Sequence, residues 1–182
     1  QGADAMSAFM LDLYPPCPVS ELAVAPGESP FRSCRHFDPH GYVALDRPDF
    51  PFRTVWGGAA ARLLHRHRRL GPMLQKVPLV RWSPELRYTS NTHLLYPVRL
   101  AEETGALLHF KYLHGFADRV RTEAARRQYW AGGRVYADFA RHLARDDGSF
   151  LHSGSAELTG TAQLVDLLRD GIAFRSARCC DI

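Results

Sequence analysis

The chain contains 182 residues, and 46% of them are apolar, which is enough to bury a substantial core and argues against a disordered protein. The formal net charge of +4 favours an anionic partner, but the arginines are spread along the chain and form no arm typical of nucleic-acid binding. We therefore expect no nucleic-acid partner. No apolar stretch approaches the ~20 residues of a membrane-spanning helix, so we expect a soluble protein with no membrane span.

The four cysteines favour a reducing compartment. They lack paired C-x-x-C spacing, and a chain of this length does not need disulfides to fold. We therefore expect a cytoplasmic protein, with a peripheral position at the inner membrane face as a second option. The cysteines are Cys17, Cys34, Cys179 and Cys180.

The first predicted element is a strand. Its apolar pattern covers Ser7–Tyr14 and ends at Pro15 and Pro16, which cannot continue a β ladder. The chain then stays rich in proline up to Pro51, which predicts a long irregular segment of the kind that binds or covers something. Within it we expect at most short strands, at 32–37 and 42–45.

A helix is predicted next, over Ala59–Arg69, because the segment is rich in Ala, Leu and Arg and stops at Gly71-Pro72. One face of this helix is basic, and it either faces solvent or binds an anionic group. A short strand, Val77–Trp82, follows the helix. The basic face consists of Arg62, His65, Arg66 and Arg69.

The segment Ala106–Tyr112 is predicted to be a buried strand that carries two basic residues. Its alternation places Leu107, His109 and Lys111 on one face, with the two basic side chains roughly 6 to 7 Å apart. An imidazole can bind a divalent metal, and a neighbouring ammonium can neutralise a phosphate held by that metal. The alternative is an edge strand whose polar side chains face solvent.

Helical periodicity takes over after Leu113. Two amphipathic helices are separated by Gly132-Gly133, and a last helix is expected over Thr161–Arg169. The element order predicts the α/β class, with a mixed sheet and C-terminal helices. In such sheets ligands bind beyond the carboxyl ends of the strands, where His109 and Lys111 are expected.

Three segments, "KVPLVRW" at 76–82, "SNTH" at 90–93 and "GALLHFK" at 105–111, stand in order at compatible spacing. Together they resemble the C-terminal part of bacterial family 2 glycosyltransferases, over most of residues 50–145. The resemblance implies a partial GT-A fold, with residues 1–145 as the C-terminal half of the glycosyltransferase domain and 146–182 as a helical tail. The Asp-x-Asp motif of that family is absent from any strand context in this chain, so we expect it upstream in a longer protein.

The resemblance also implies ligands and roles. The donor would be a nucleoside diphosphate sugar, the cofactor Mn²⁺ or Mg²⁺, and the acceptor an unidentified glycan, lipid or protein. By position, His109 would bind the metal and Lys111 the donor diphosphate. The chemistry of the transfer adds further candidates. Lys76 would bind the diphosphate or cap a strand, and Asp12 would be the catalytic base. The donor or acceptor pocket would contain His93, Trp82, Gly57 and Gly58; the alternatives are a hydrogen-bonding loop histidine, a core tryptophan and a helix-entry turn.

Two other function classes stay open. The chain could be a non-catalytic basic module that binds phosphorylated ligands or a protein partner through its arginine-rich helix, without metal dependence. A metal-dependent hydrolase fits less well, because His65 and His67 point to different helix faces and no H-x-x-x-H pair stands on a convincing helix.

Overall fold

The computed structural model describes residues 2–46, 53–64, 72–89, 92–128, 130–145 and 148–164. These ranges contain both helices and strands, which confirms the mixed α/β class. No helix within them is long and apolar enough to cross a bilayer. In chain order the elements are β1 Ala5–Asp12, β2 His36–Phe37, β3 Val43–Leu45, β4 Thr54–Trp56, α1 Gly58–Leu64, β5 Gln75–Val80, β6 Arg87–Tyr88, β7 Leu95–Tyr96, β8 Leu100–His109, α2 Phe116–Arg126, α3 Arg134–Arg145 and β9 Ala156–Glu157, with 3-10 turns at Pro30–Arg32, Trp130–Gly133 and Thr161–Gln163.

The main sheet has β1 in its centre, flanked by β5 and β8. Strand β1 runs antiparallel to β5 and parallel to β8, so the sheet is mixed. Strand β1 takes the central position because its apolar residues suit a strand that is covered on both faces. Phe9 and Leu11 on one face and Ala8 on the other are almost fully buried. The short strands pair two by two, as β2 with β9, β3 with β4, and β6 with β7.

The register of the parallel pair fixes which residues meet at its carboxyl end. Asp12, the last residue of β1, lies beside His109, the last residue of β8. The Leu13 amide donates to the carbonyl of His109 at 3.0 Å and extends the pairing by one residue. An acidic and an imidazole side chain are thereby brought together at the end of the sheet where α/β proteins bind ligands.

Two hydrophobic clusters meet near this end of the sheet. One contains Phe9, Leu11 and Leu13 from β1 and the residue that follows it. The other is aromatic and joins α2 and α3 to the chain after β8 and to the loop after α3. Its rings include Tyr14, Tyr112, Phe116, Phe139 and Phe150, with the Tyr112 and Phe150 centroids 4.0 Å apart.

The predicted strand over Ala106–Tyr112 has other bounds in the structure. Strand β8 begins at Leu100 and ends at His109, so the prediction that Lys111 lies on the same strand face as His109 is wrong. The reason is the aromatic cluster, which draws Tyr112 and Phe116 inward and turns the chain into α2. Of the last predicted helix, the described residues contain only the 3-10 turn at Thr161–Gln163, and the segment 165–169 lies outside the described ranges.

Candidate active site

Asp12 and His109 form the centre of the candidate site. The Nδ1 atom of His109 lies 2.6 Å from Oδ1 of Asp12. Asp12 is 5% exposed and His109 is 35% exposed, so the carboxylate lies beneath the imidazole and the imidazole reaches the surface. A carboxylate only accepts hydrogen bonds, so Nδ1 of His109 is the donor in this pair.

The second oxygen of Asp12 is also occupied. The Tyr112 hydroxyl donates to Oδ2 at 3.2 Å. Burial raises the pKa of Tyr112 well above its ordinary value, and the Asp12 carboxylate raises it further, so this hydroxyl keeps its proton. Tyr112 was not among the residues predicted from the sequence, because an aromatic residue at the end of an apolar run gives no sign of a polar contact.

Gly58 packs closely against Oδ2 of Asp12. A Cβ atom at this position would lie 3.0 Å from Oδ2 of Asp12, and the backbone has φ +74°, which favours glycine. The neighbouring Gly57 has φ +140°, and a Cβ there would lie 2.8 Å from the Tyr42 ring. Gly58 therefore lets the start of α1 approach the buried carboxylate, and Gly57 lets it approach Tyr42. The role of both glycines in a donor or acceptor pocket stays a prediction.

Lys111 lies next to the Asp12 site but faces the aromatic cluster. Its Nζ atom is 4.6 Å from the centre of the Phe139 ring, and two further rings, of Tyr112 and Phe116, lie within 6 Å. Burial lowers the pKa of Lys111, and the negative charge of Asp12 partly opposes that effect. Lys111 is thus a partly buried cation within the electrostatic reach of Asp12.

Asp38 supplies a second buried carboxylate, which accepts hydrogen bonds from several side chains. Arg62 of α1 donates to Oδ2 of Asp38 at 2.8 Å and also to the carbonyl of Phe150. His152 Nε2 lies 3.1 Å from Oδ1 of Asp38. The amide of Gly154 donates to His152 Nδ1, so Nε2 carries the proton and donates to the carboxylate. We call this hydrogen-bonded group the Asp38 cluster; it consists of Tyr14, Asp38, Arg62, His152 and Ser155.

Two tyrosines contact Asp38, and one of them, Tyr42, also lies within electrostatic reach of Asp12. Tyr14 donates to Oδ1 of Asp38 at 2.5 Å, and burial followed by the charge of Asp38 raises the Tyr14 pKa. Tyr42 donates to the carbonyl of Asp38, and its pKa is raised by burial and then by the charges of both Asp38 and Asp12. The two carboxylates therefore act on one shared, largely buried region.

The arginine-rich face of the predicted helix is not a free surface at Arg62, because that side chain is engaged by Asp38 and the Phe150 carbonyl. The other predicted members of this face, His65, Arg66 and Arg69, lie outside the described residues. The described part of α1 therefore gives no support to a phosphate-binding helix face.

Three of the predicted site residues lie near the other edge of the main sheet: Lys76, His93 and Trp82. Lys76 donates to the Thr92 hydroxyl at 2.6 Å, and burial lowers its pKa. His93 Nδ1 lies 2.5 Å from the Gln75 carbonyl, and burial lowers the pKa of this imidazole. All three lie on or near β5, across β1 from His109.

Distances along β1 separate this second group from Asp12. Lys76 pairs with Ala8, four residues before Asp12, which at the usual rise is roughly 13 Å along the strand. Trp82 follows Val80, which pairs with Ala5 at the far end, roughly 23 Å from Asp12. Trp82 is 61% exposed, so it is not a core residue, but the structure does not bring it to Asp12 and His109.

Among the described residues, the metal-binding side chain in contact with His109 is the carboxylate of Asp12. Mn²⁺ and Mg²⁺ usually take about six ligands, mostly oxygen. In the described part of the chain, no group of three or more His, Cys, Asp or Glu side chains is placed to hold a metal ion. These residues alone do not fit a metal site, and the metal role of His109, with Mn²⁺ or Mg²⁺, stays a prediction.

Chemically, the Asp12 site offers a partly exposed imidazole held by a buried carboxylate, with a cation nearby. Such a group can accept a proton from a substrate hydroxyl, and the cation can oppose negative charge that develops beside it.

A scan against protein-family models found no match to this chain, and searches of curated proteins and of solved structures found no similar protein.

Proposed function

We propose that this chain supplies one part of the active site of a glycosyltransferase that uses a nucleoside diphosphate sugar. The observation that carries the proposal is the Asp12–His109 contact at the carboxyl ends of two parallel strands, with the Lys111 cation beside it. Two of these residues come from the segment "GALLHFK", which resembles family 2 glycosyltransferases. We propose further that the mixed sheet belongs to a GT-A type domain.

The energetics of the site support a functional role. Burying a carboxylate or an ammonium costs several kcal/mol unless partners compensate for the lost hydration. Asp12 and Asp38 are both about 5% exposed, and the cations Lys111 and Arg62 lie close to them between two apolar clusters. A core of this size does not need two carboxylates, whereas buried charged groups with charged partners are often found at functional sites.

The proposed reaction needs charge stabilisation at the leaving group. Transfer forms a bond between an acceptor oxygen and the anomeric carbon and breaks the bond from that carbon to the diphosphate, which leaves with the electron pair. Lys111 would oppose the negative charge that accumulates on the diphosphate, while the start of α1 packs at Gly58 against the Asp12 carboxylate and helps to fix its position.

The test is donor turnover by the complete protein that carries this chain. A panel of nucleoside diphosphate sugars is supplied with candidate acceptors, and the release of nucleoside diphosphate is measured. We expect Lys111→Ala to lower kcat/KM for the donor by about ten- to a hundredfold, because a charge-assisted contact of roughly 1.5 to 3 kcal/mol is lost.

The matched control is Arg141→Ala, which removes a cation from the exposed side of α3. We expect this variant to turn over the donor at the wild-type rate. Failure of the wild-type protein to use any nucleoside diphosphate sugar, or equal effects of the two variants, would remove the proposal.

A further inference from the structure

We infer that His109 is the catalytic base of this site, acting through Nε2, and that Asp12 is a positioning residue rather than the base itself. The inference rests on the proposed glycosyl transfer and assigns a proton acceptor to it. It changes the role expected for Asp12, and it gives His109 a role that competes with metal binding, since both roles use the same nitrogen lone pair.

Asp12 is poorly placed to take a proton from a substrate. Both of its oxygens accept hydrogen bonds from side chains, Oδ1 from His109 and Oδ2 from Tyr112. The carboxylate is 5% exposed, and the missing Cβ of Gly58 brings backbone to within contact of Oδ2. An acceptor molecule would have to displace one of these donors before it could reach either oxygen.

His109 presents the opposite arrangement. Its Nδ1 proton is directed at Asp12, so in the neutral imidazole the lone pair is on Nε2. The side chain is 35% exposed, and Nε2 has no hydrogen-bond partner among the described residues. A buried carboxylate that fixes one nitrogen and leaves the other open is the arrangement by which proteins orient an imidazole base.

The proton balance of the step is complete. Nε2 takes the proton of the acceptor hydroxyl, the oxygen of that hydroxyl bonds to the anomeric carbon, and the diphosphate departs with the electrons of the broken bond. The resulting imidazolium is stabilised by the Asp12 carboxylate at 2.6 Å. The Lys111 ammonium contacts the aromatic rings, 4.6 Å from the centre of the Phe139 ring, and makes no hydrogen bond to Nε2 among the described contacts.

The first experiment reads the tautomer of His109 directly. The complete protein is labelled with ¹⁵N-histidine, and long-range proton–nitrogen spectra are recorded at alkaline pH, where imidazoles are neutral. The His109 signals are assigned by their loss in His109→Gln. We expect the proton on Nδ1 and none on Nε2, and Asp12→Asn should alter this pattern. A proton on Nε2 in the wild-type protein would overturn the inference without any activity measurement.

The second experiment separates catalysis from binding. We expect His109→Ala to lower kcat by about 10² to 10⁴ with little change in the KM of the donor, because only the proton transfer is lost. Asp12→Asn should lower kcat by about ten- to a hundredfold. His114, five residues further on and exposed, gives the matched control, and His114→Ala should behave as wild type.

The outcomes separate three cases. Added imidazole should restore part of the His109→Ala rate, while the divalent ion concentration that gives half-maximal rate should stay unchanged in His109→Gln. A shift of that concentration by tenfold or more, with kcat recovered at high metal, would make His109 a metal ligand and overturn the inference. If the wild-type protein transfers sugar but His109→Ala keeps its kcat, the inference fails and the proposed function stands; if the wild-type protein uses no sugar donor, the proposed function itself fails.

Discussion

Replacement of Lys111 by methionine should make the protein more stable and less active at the same time. The Lys111 ammonium is partly buried against the Phe139 ring, and its pKa is lowered chiefly by that burial. The contact with the rings offsets about 1 to 2 kcal/mol of the free-energy cost of burying the ammonium, and the attraction to the Asp12 carboxylate offsets a further part. Methionine keeps the apolar stem without the charge, so we expect the free energy of unfolding to rise by about 1 kcal/mol, the low end of what replacing buried charges with apolar groups yields.

The pH dependence of this gain follows from the direction of the shift. Because the pKa of Lys111 is lower in the folded protein than the ordinary 10.5, the folded state releases this proton before the unfolded state does as pH rises. Between the lowered pKa and pH 10.5, the free energy of unfolding of the wild-type protein therefore rises with pH. The stability advantage of Lys111→Met should be largest near neutral pH and should shrink toward pH 10.5.

Two measurements on each variant test this reasoning. Chemical denaturation at neutral and alkaline pH gives the free energy of unfolding, and donor turnover gives kcat/KM, which we expect to fall about ten- to a hundredfold in Lys111→Met. Lys111→Arg keeps the charge with a planar fork in a confined site, so its rate should lie between those of wild type and Lys111→Ala. Parallel losses of stability and activity in Lys111→Met would show that the lysine is structural and refute the argument.

Asp38→Asn should lower the free energy of unfolding by about 3 kcal/mol because Arg62 loses its buried partner, whereas Asp46→Asn, which breaks an exposed ion pair, should cause no measurable change in denaturation. Gly58→Ala should cost about 1 to 2 kcal/mol for the left-handed backbone, again by denaturation, and should also slow donor turnover because the new methyl group presses on the Asp12 carboxylate. Phe150→Ala should cost about 3 to 5 kcal/mol by the same measurement, since this ring is fully buried in the aromatic cluster.

The elements that carry the site could be predicted from local sequence pattern. The apolar run that ends near Asp12 predicted β1 to within two residues, and the run that contains His109 predicted the end of β8 to within three. The predicted bounds of the second strand placed His109 near its carboxyl end, where the α/β rule expects ligands to bind. These predictions succeeded because periodicity and the flanking proline and glycine residues are properties of a few adjacent residues.

The partners of those residues could not be predicted. Asp12 and His109 are separated by 97 residues, and Asp38 and His152 by 114. Nothing in either local pattern specifies which strands pair in parallel or which loop folds back, because register is decided by how two distant faces are buried together. The prediction for Lys111 was wrong for a related reason. Alternation of side chains holds only while the strand continues, and strand β8 ends at His109 because Tyr112 and Phe116 are buried in the aromatic cluster.

The Asp38 cluster gains its importance from its position relative to the Asp12 site. Arg62 lies one turn after Gly58 on α1, so the ion pair with Asp38 holds the start of that helix against the Asp12 carboxylate. Tyr14, two residues after Asp12, holds the chain that follows β1 to the same anchor. Loss of Asp38 should therefore act on transfer indirectly, through the position of α1, and should change the rate in the same direction as Gly58→Ala.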